Sequence, residues 1–188
     1  MKSRFIPVAA ATALALVSLS GCETYHSIAS YIGSTSAAMC PDAAILAGTS
    51  VLPAFSPTSD GDPSGVVYTI SMTNVTTRCD FAKRDKTVDA RLRLYFHAVR
   101  PPGGAEMTYR VPYYVAVTTG SDIPAKKIYW LMLQFGAGDA VVDANTTVDS
   151  TEFQVDRTKQ PYDYHLLVGF QLTKAQVEYN KKMGHYEP

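Results

Sequence analysis

Along 88–98 apolar and polar residues alternate without a break. Val88, Ala90, Leu92, Leu94, Phe96 and Ala98 hold one phase, and Asp89, Arg91, Arg93, Tyr95 and His97 hold the other. A helix would scatter both sets over every face, so a period of two predicts a half-buried strand. The same pattern runs through 66–77, where Val66, Tyr68, Ile70 and Met72 share a phase until Asn74-Val75 shifts it. Such a shift predicts a β-bulge. The polar connection 80–86 makes these two strands a hairpin.

Further strands follow from the same logic. Tyr109, Val111, Tyr113, Val115 and Val117 alternate, with Pro112 on the opposite phase. Proline has no ladder donor, so this strand is expected at a sheet edge or bulged, where a second chain can add. The stretch 128–135 is apolar on both phases, which predicts burial on both faces or a partner. A weaker strand is expected over 147–155 after a turn at 136–143, and a last one through Tyr164, Leu166, Val168, Phe170 and Leu172. A first strand within 43–52, interrupted at Gly48, precedes a loop punctuated by Pro53, Pro57, Gly61, Pro63 and Gly65. Thr173-Lys174-Ala175-Gln176 reads as a capping box, with Lys181, Lys182 and Gly184 closing a short helix that docks at the domain's edge. The expectation is a mainly β chain, an immunoglobulin-like antiparallel β-sandwich of about seven strands with a short C-terminal helix. A small closed barrel is the alternative.

The beginning of the chain has a different pattern. Lys2 and Arg4 precede an uncharged segment, 5–19, rich in Ala, Leu and Val. A basic start, a short apolar run and small residues at the cut make an export signal, too short to span a bilayer. The run ends in Leu19-Ser20-Gly21-Cys22, which resembles the lipobox of bacterial lipoproteins. That resemblance implies that the Cys22 thiol takes a diacylglyceryl group and becomes the first mature residue. Two or three acyl chains (palmitate among them) then anchor the protein far more firmly than one chain would. The alternative is a conventional secretory signal with Cys22 beside the cut. Glu23, in place of the Asp that retains such lipoproteins at the inner membrane, implies the periplasmic side of the outer membrane, with the inner membrane as the alternative. The organisation expected is a signal peptide over 1–21, a Ser-, Ala- and Thr-rich lipid-anchored tether over 22–39, and the sandwich over 40–188. A short helix through Ile28, Tyr31 and Ile32 is the other reading of the tether.

Charge and cysteines narrow the partners. The 188 residues carry 17 basic and 17 acidic side chains, and losing Lys2 and Arg4 tips the balance slightly acidic, which argues against nucleic acid. With Cys22 lipidated, Cys40 and Cys79 remain, and in an oxidising compartment they read as one disulfide, with two buried free thiols as the alternative. They lack the paired spacing of a zinc site.

Catalytic and metal chemistry find little support. His97 and His165 fall on outward phases, His26 lies in the tether and His185 near the end. Neither a Gly-x-Ser-x-Gly elbow nor a His-Glu-x-x-His helix is present. Asp139, Asp143, Asp149, Glu152, Asp156 and Asp163 match no EF-hand spacing and read as solvated loop carboxylates. No cofactor is called for. Two surfaces are candidates for binding. The region 78–100 has a local excess of base, and Arg84, Arg91 and Arg93 point to an anionic partner or lipid phosphate, against a plain solvated face. Within the aromatic cluster Tyr109, Tyr113, Tyr114, Tyr129 and Trp130, Tyr109 and Tyr114 are candidates for a glycan- or peptide-binding surface, against simple packing.

Cys40-Pro41, Tyr113-Tyr114-Val115-Ala116-Val117 and Leu167-Val168-Gly169-Phe170-Gln171-Leu172-Thr173 resemble small envelope lipoproteins of alphaproteobacteria. The likeness covers most of the mature chain and implies a group without an assigned activity, so no functional residues carry over. The function expected is that of a non-enzymatic structural or protein-interaction component of the cell envelope, held to the membrane by its lipid and bound to another envelope protein. A glycan- or peptide-binding receptor module is the alternative, and a hydrolase a more distant one.

Overall fold

The computed structural model describes residues 40–59 and 62–185. The expected signal peptide 1–21, Cys22 and the expected tether 22–39 lie outside the described residues. Two four-stranded sheets face each other. The first takes β1 (Asp42–Ile45), β8 (His165–Phe170), β5 (Met107–Thr119) and β6 (Asp122–Phe135), in that order. The second takes β2 (Val51–Phe55), β3 (Val66–Ala82), β4 (Thr87–Val99) and β7 (Val141–Gln154). The mainly β sandwich expected from the alternation is therefore what the chain forms, with eight strands. The extra strand comes from 43–52, which divides. Its first part pairs with β8 in parallel, and a single 3₁₀ turn at Ala47–Thr49 sends the rest into the opposite sheet as β2.

The alternating phases become the core. Val88, Ala90, Leu92, Leu94, Phe96 and Ala98 are all buried, facing Val111, Tyr113, Leu133, Leu166, Val168 and Phe170 of the other sheet. Aromatic rings interlock across the gap. Tyr68 of β3 lies 4.3 Å from Tyr109 of β5, and Phe96 sits 6.1 and 6.0 Å from Tyr113 and Phe170. The phase shift expected near Asn74 is a bulge that skips Thr73 in the β3–β4 register. Before it the even residues Tyr68, Ile70 and Met72 point inward; after it Val75, Cys79 and Phe81 do.

Four expectations need correction. β5 is an inner strand between β8 and β6, not an edge. Pro112 is tolerated because its carbonyl, and so its nitrogen, faces the β8 side just beyond the end of that strand, where the carbonyl accepts from the Gln171 N–H. The 128–135 stretch is buried on one face only, through Leu131, Leu133 and Phe135. β7 begins at Val141, well before 147, so the turn is shorter than 136–143. The strand expected over 66–77 runs on to Ala82, so Cys79 lies inside β3, and its disulfide with Cys40 (Cα–Cα 5.7 Å) joins the chain just ahead of β1 to the opposite sheet.

Helix α1 (Lys174–Lys182) carries both arms of its capping box: Gln176 N donates to Thr173 Oγ1 (3.3 Å) and Thr173 N to Gln176 Oε1 (2.8 Å). It docks on the open edge of β2. There Gln176 Nε2 donates to the Pro53 carbonyl (2.8 Å) and buried Asn180 Nδ2 to that of Val51 (2.7 Å), two acceptors that a neighbouring strand would otherwise meet. Tyr179 packs edge-on against Phe55. At the other end Arg100 closes two loops at once, donating to the carbonyls of Gly104, Ala105, Gly136 and Asp139 while lying over the Phe135 ring.

Removing the Cys40–Cys79 crosslink frees a loop of about 40 residues in the unfolded chain, worth roughly 4 kcal/mol in the chain-entropy model. The Cys40→Ser/Cys79→Ser double variant should melt about 10 °C lower by calorimetry; an unchanged midpoint would contradict this. Burial, with a smaller contribution from Tyr109, pushes the Tyr68 phenol up to about 12. The unfolded chain therefore loses this proton near the ordinary value of about 10 while the folded chain keeps it, and stability falls as pH rises from 10 through 12. Urea midpoints should drop between pH 9 and 11.5, and less so in Tyr68→Phe; an equal drop in both proteins would refute the assignment.

Candidate functional site: two outer faces

The outer face of the second sheet is polar. β3 and β4 pair Arg78 directly with Arg91, and Thr76 with Arg93; β4 and β7 pair Arg93 with Thr147 and Tyr95 with Asn145. One row away Asp80 stands opposite Asp89. Like charges are thus set directly across from one another, an arrangement that disfavours the sheet by a few tenths to about 1 kcal/mol per pair. Where β7 bulges, Asp149 reaches Arg91 at 3.6 Å between exposed side chains, and the Ser150 hydroxyl donates to Asp89. Arg78 and Arg93 have no carboxylate within 4 Å among the described residues. His97 and Asp143 pair at 2.8 Å further along.

Two shallow cavities meet at these arginines. One, of about 520 Å³, is walled by Asp42, Asp80, Asp89 and Asp149 together with Arg78 and Arg91, beside the disulfide. The other, of about 310 Å³, is walled by Thr76, Thr77, Arg78, Arg91, Arg93, Tyr95 and Thr147, with no carboxylate in its lining. Of the arginines singled out in the sequence, Arg91 and Arg93 come together here, whereas Arg84 sits at the β3–β4 hairpin tip outside both cavities. Arg78 was not among them. The hairpin turn sets Arg78 opposite Arg91, and the bulge at Thr73 turns Arg78 outward, since on the phase of Tyr68, Ile70 and Met72 it would face the core.

The outer face of the first sheet is apolar along β6. Ile128, Trp130 and Met132 are 49%, 49% and 62% exposed. Cations lie over rings of this face, Arg110 at 4.0 Å from Trp130 and Lys126 at 4.3 Å from Tyr114, while Lys127, on the inward phase of β6, lies 5.2 Å from Tyr129. None of the three forms an ion pair among the described residues. β6 pairs with β5 alone, so its second edge has no strand neighbour among those residues.

Tyr109 and Tyr114 do not make a common binding surface. Five positions apart in β5, they point to opposite sides: Tyr109 packs into the core against Tyr68 and Phe135, while Tyr114 lies buried on the outer face. The Tyr114 ring fits over Gly169 of β8 and shares a 2.9 Å hydrogen bond with Thr49. A methyl at 169 would collide with the Thr49 side chain and the Tyr114 hydroxyl. Among the described residues no cluster of three His, Cys, Asp or Glu side chains has the geometry to hold a metal ion, and no helix is long and apolar enough to cross a membrane.

No protein-family model matches this chain, and neither the curated proteins nor the solved structures contain a significant match to it.

Gly169→Ala should destabilise the body by about 1–3 kcal/mol, the range for overpacking a filled site, and Thr49→Ala should recover part of the loss by vacating the contact. Denaturant midpoints of the single and double variants check this; additive losses would show that Thr49 is not the obstacle.

Proposed function

We propose that this chain is a lipid-anchored envelope protein whose sandwich is a protein-interaction module, docking through β6. The observation that carries the reading is the exposed row Ile128, Trp130 and Met132 on a 14-residue edge strand. A long, apolar edge is a template for pairing with another chain, and such edges are ordinarily blunted or covered. The first half of β6 is blunted by Pro124, Lys126 and Lys127; the stretch 128–135 carries no charge. Arg110 and Lys126 flank the apolar row with positive charge, and neither forms an ion pair among the described residues. The occupant fitting this surface is an extended, apolar segment of another envelope protein, flanked by Asp or Glu. It would add as a strand and bury alternate side chains against Trp130.

The anchor half of the proposal rests on Leu19-Ser20-Gly21-Cys22. A thiol there is the group that acylation requires, and the charge balance of the chain supports neither a nucleic-acid nor a purely electrostatic membrane partner.

In cells, a photo-crosslinking residue at Met132 or Ile128 should give one discrete adduct, absent from a control at Thr76 and abolished by Trp130→Lys. The same adduct at Thr76, or none from β6, would end the docking proposal. Cys22→Ser should move the protein from the membrane to the soluble fraction; retention in the membrane would end the anchor proposal separately.

A further inference from the structure

We infer that the cavity walled by Arg78, Arg91 and Arg93 binds a phosphate monoester carried on a sugar. The site lies on the sheet opposite β6 and does not depend on the docking proposal. Its geometry comes from register alone. Arg78 and Arg91 are cross-strand partners, and Arg93 is the next outward residue of β4, so three guanidinium groups project from one patch of sheet. Only Arg91 has a carboxylate near it, Asp149 at 3.6 Å, and both side chains are largely exposed.

The distribution of acid makes the cavity directional. Asp42, Asp80, Asp89 and Asp149 all line the neighbouring cavity and none lines this one. An anion is therefore repelled on the Asp80–Asp89 side and drawn to the side of Arg93. The like-charge pair Arg78–Arg91 costs stability in the free protein, and a bound anion between the two side chains offsets that cost. Arginine presents planar forks that match a phosphate's oxygens two at a time. The rest of the wall is hydroxyl: Thr76, Thr77, Thr147 and the Tyr95 phenol. Such groups both donate to and accept from sugar hydroxyls, and Tyr95 adds a ring face beside them. A volume of about 310 Å³ lies at the small end of ligand sites, suited to one sugar ring with its phosphate rather than a long polymer.

The ligand can come from solution or from a membrane glycolipid, and the test separates the two. The mature protein, purified in detergent, is titrated calorimetrically with glucose 6-phosphate and, as control, glucose. Its Cys22→Ser variant, which no acyl chain can hold to a bilayer, is sedimented with vesicles containing a phosphorylated glycolipid and with vesicles of neutral lipid. Saturable binding to glucose 6-phosphate assigns a soluble source, and binding confined to the glycolipid vesicles assigns a membrane source. In either case Arg93→Gln and Arg78→Gln should each weaken binding at least tenfold, with Arg84→Gln unchanged. Arg93→Lys should fall between, keeping the charge and losing the fork. Arg93 is exposed, so the thermal midpoint serves as the check on folding. Absence of binding in both arms overturns the assignment. So do equal binding of glucose, or equal losses from Arg84→Gln and Arg93→Gln, which would mean diffuse attraction to a basic hairpin.

Discussion

The alternation on β4 constrains almost everything else in this molecule. β4 is an inner strand, and each of its inward residues from Val88 to Ala98 is buried. A slip of one residue would exchange that row for Asp89, Arg91, Arg93 and His97. Removing even one such ion from water without a partner costs several kcal/mol, so the register has a single acceptable value. Once it is fixed, β3 and β7 are fixed beside it, and so are the floor against which β5 and β8 pack and the arginines that project outward. Core and outer surface are two sides of one pattern.

Two open sheets leave four strands with an unpaired side, and the chain treats each differently. β1 is only four residues long. β2 is covered by α1, whose Gln176 and Asn180 amides supply the donors of an absent strand. Pro53 costs nothing there, since its carbonyl faces the helix and its missing N–H would have faced the same way. β7 is interrupted by its bulge and lined outward with Asp143, Asp149 and Glu152. β6 is defended for half its length and left apolar for the rest. The contrast among the four edges gives the exposed row on β6 its meaning; scattered apolar side chains on a surface would need no explanation.

Much of the fold was legible in the alternation itself. The β4 row, the hairpin with β3, the bulge near Asn74 and both arms of the Thr173–Gln176 cap follow from local rules that tertiary packing did not override. What was not legible depended on which strands become neighbours. Pro112 pointed to an edge because a proline removes a donor, yet the donor it lacks lies past the end of β8, a fact of strand lengths. The stretch 128–135 looked fully buried because Ile128, Trp130 and Met132 are apolar, and nothing local says that their side faces outward on a terminal strand. Tyr109 and Tyr114 looked alike as tyrosines, but one fills the core and the other fits over Gly169. Of the basic residues, Arg91 and Arg93 were visible as an outward phase, whereas the face of Arg78 depended on counting the bulge between it and the row Tyr68, Ile70 and Met72.

The disulfide also has a mechanical meaning. Cys40 lies just ahead of β1, and Cys79 belongs to the long, doubly paired β3. A pull delivered through the chain ahead of Cys40 would otherwise act first on β1, where a few hydrogen bonds to β8 can open one after another like a zipper. With the crosslink closed, tension passes at Cys40 into a strand held on both sides, where many bonds resist together. A body under such tension would keep its shape on that account, and a reducing environment would make it give way first at β1.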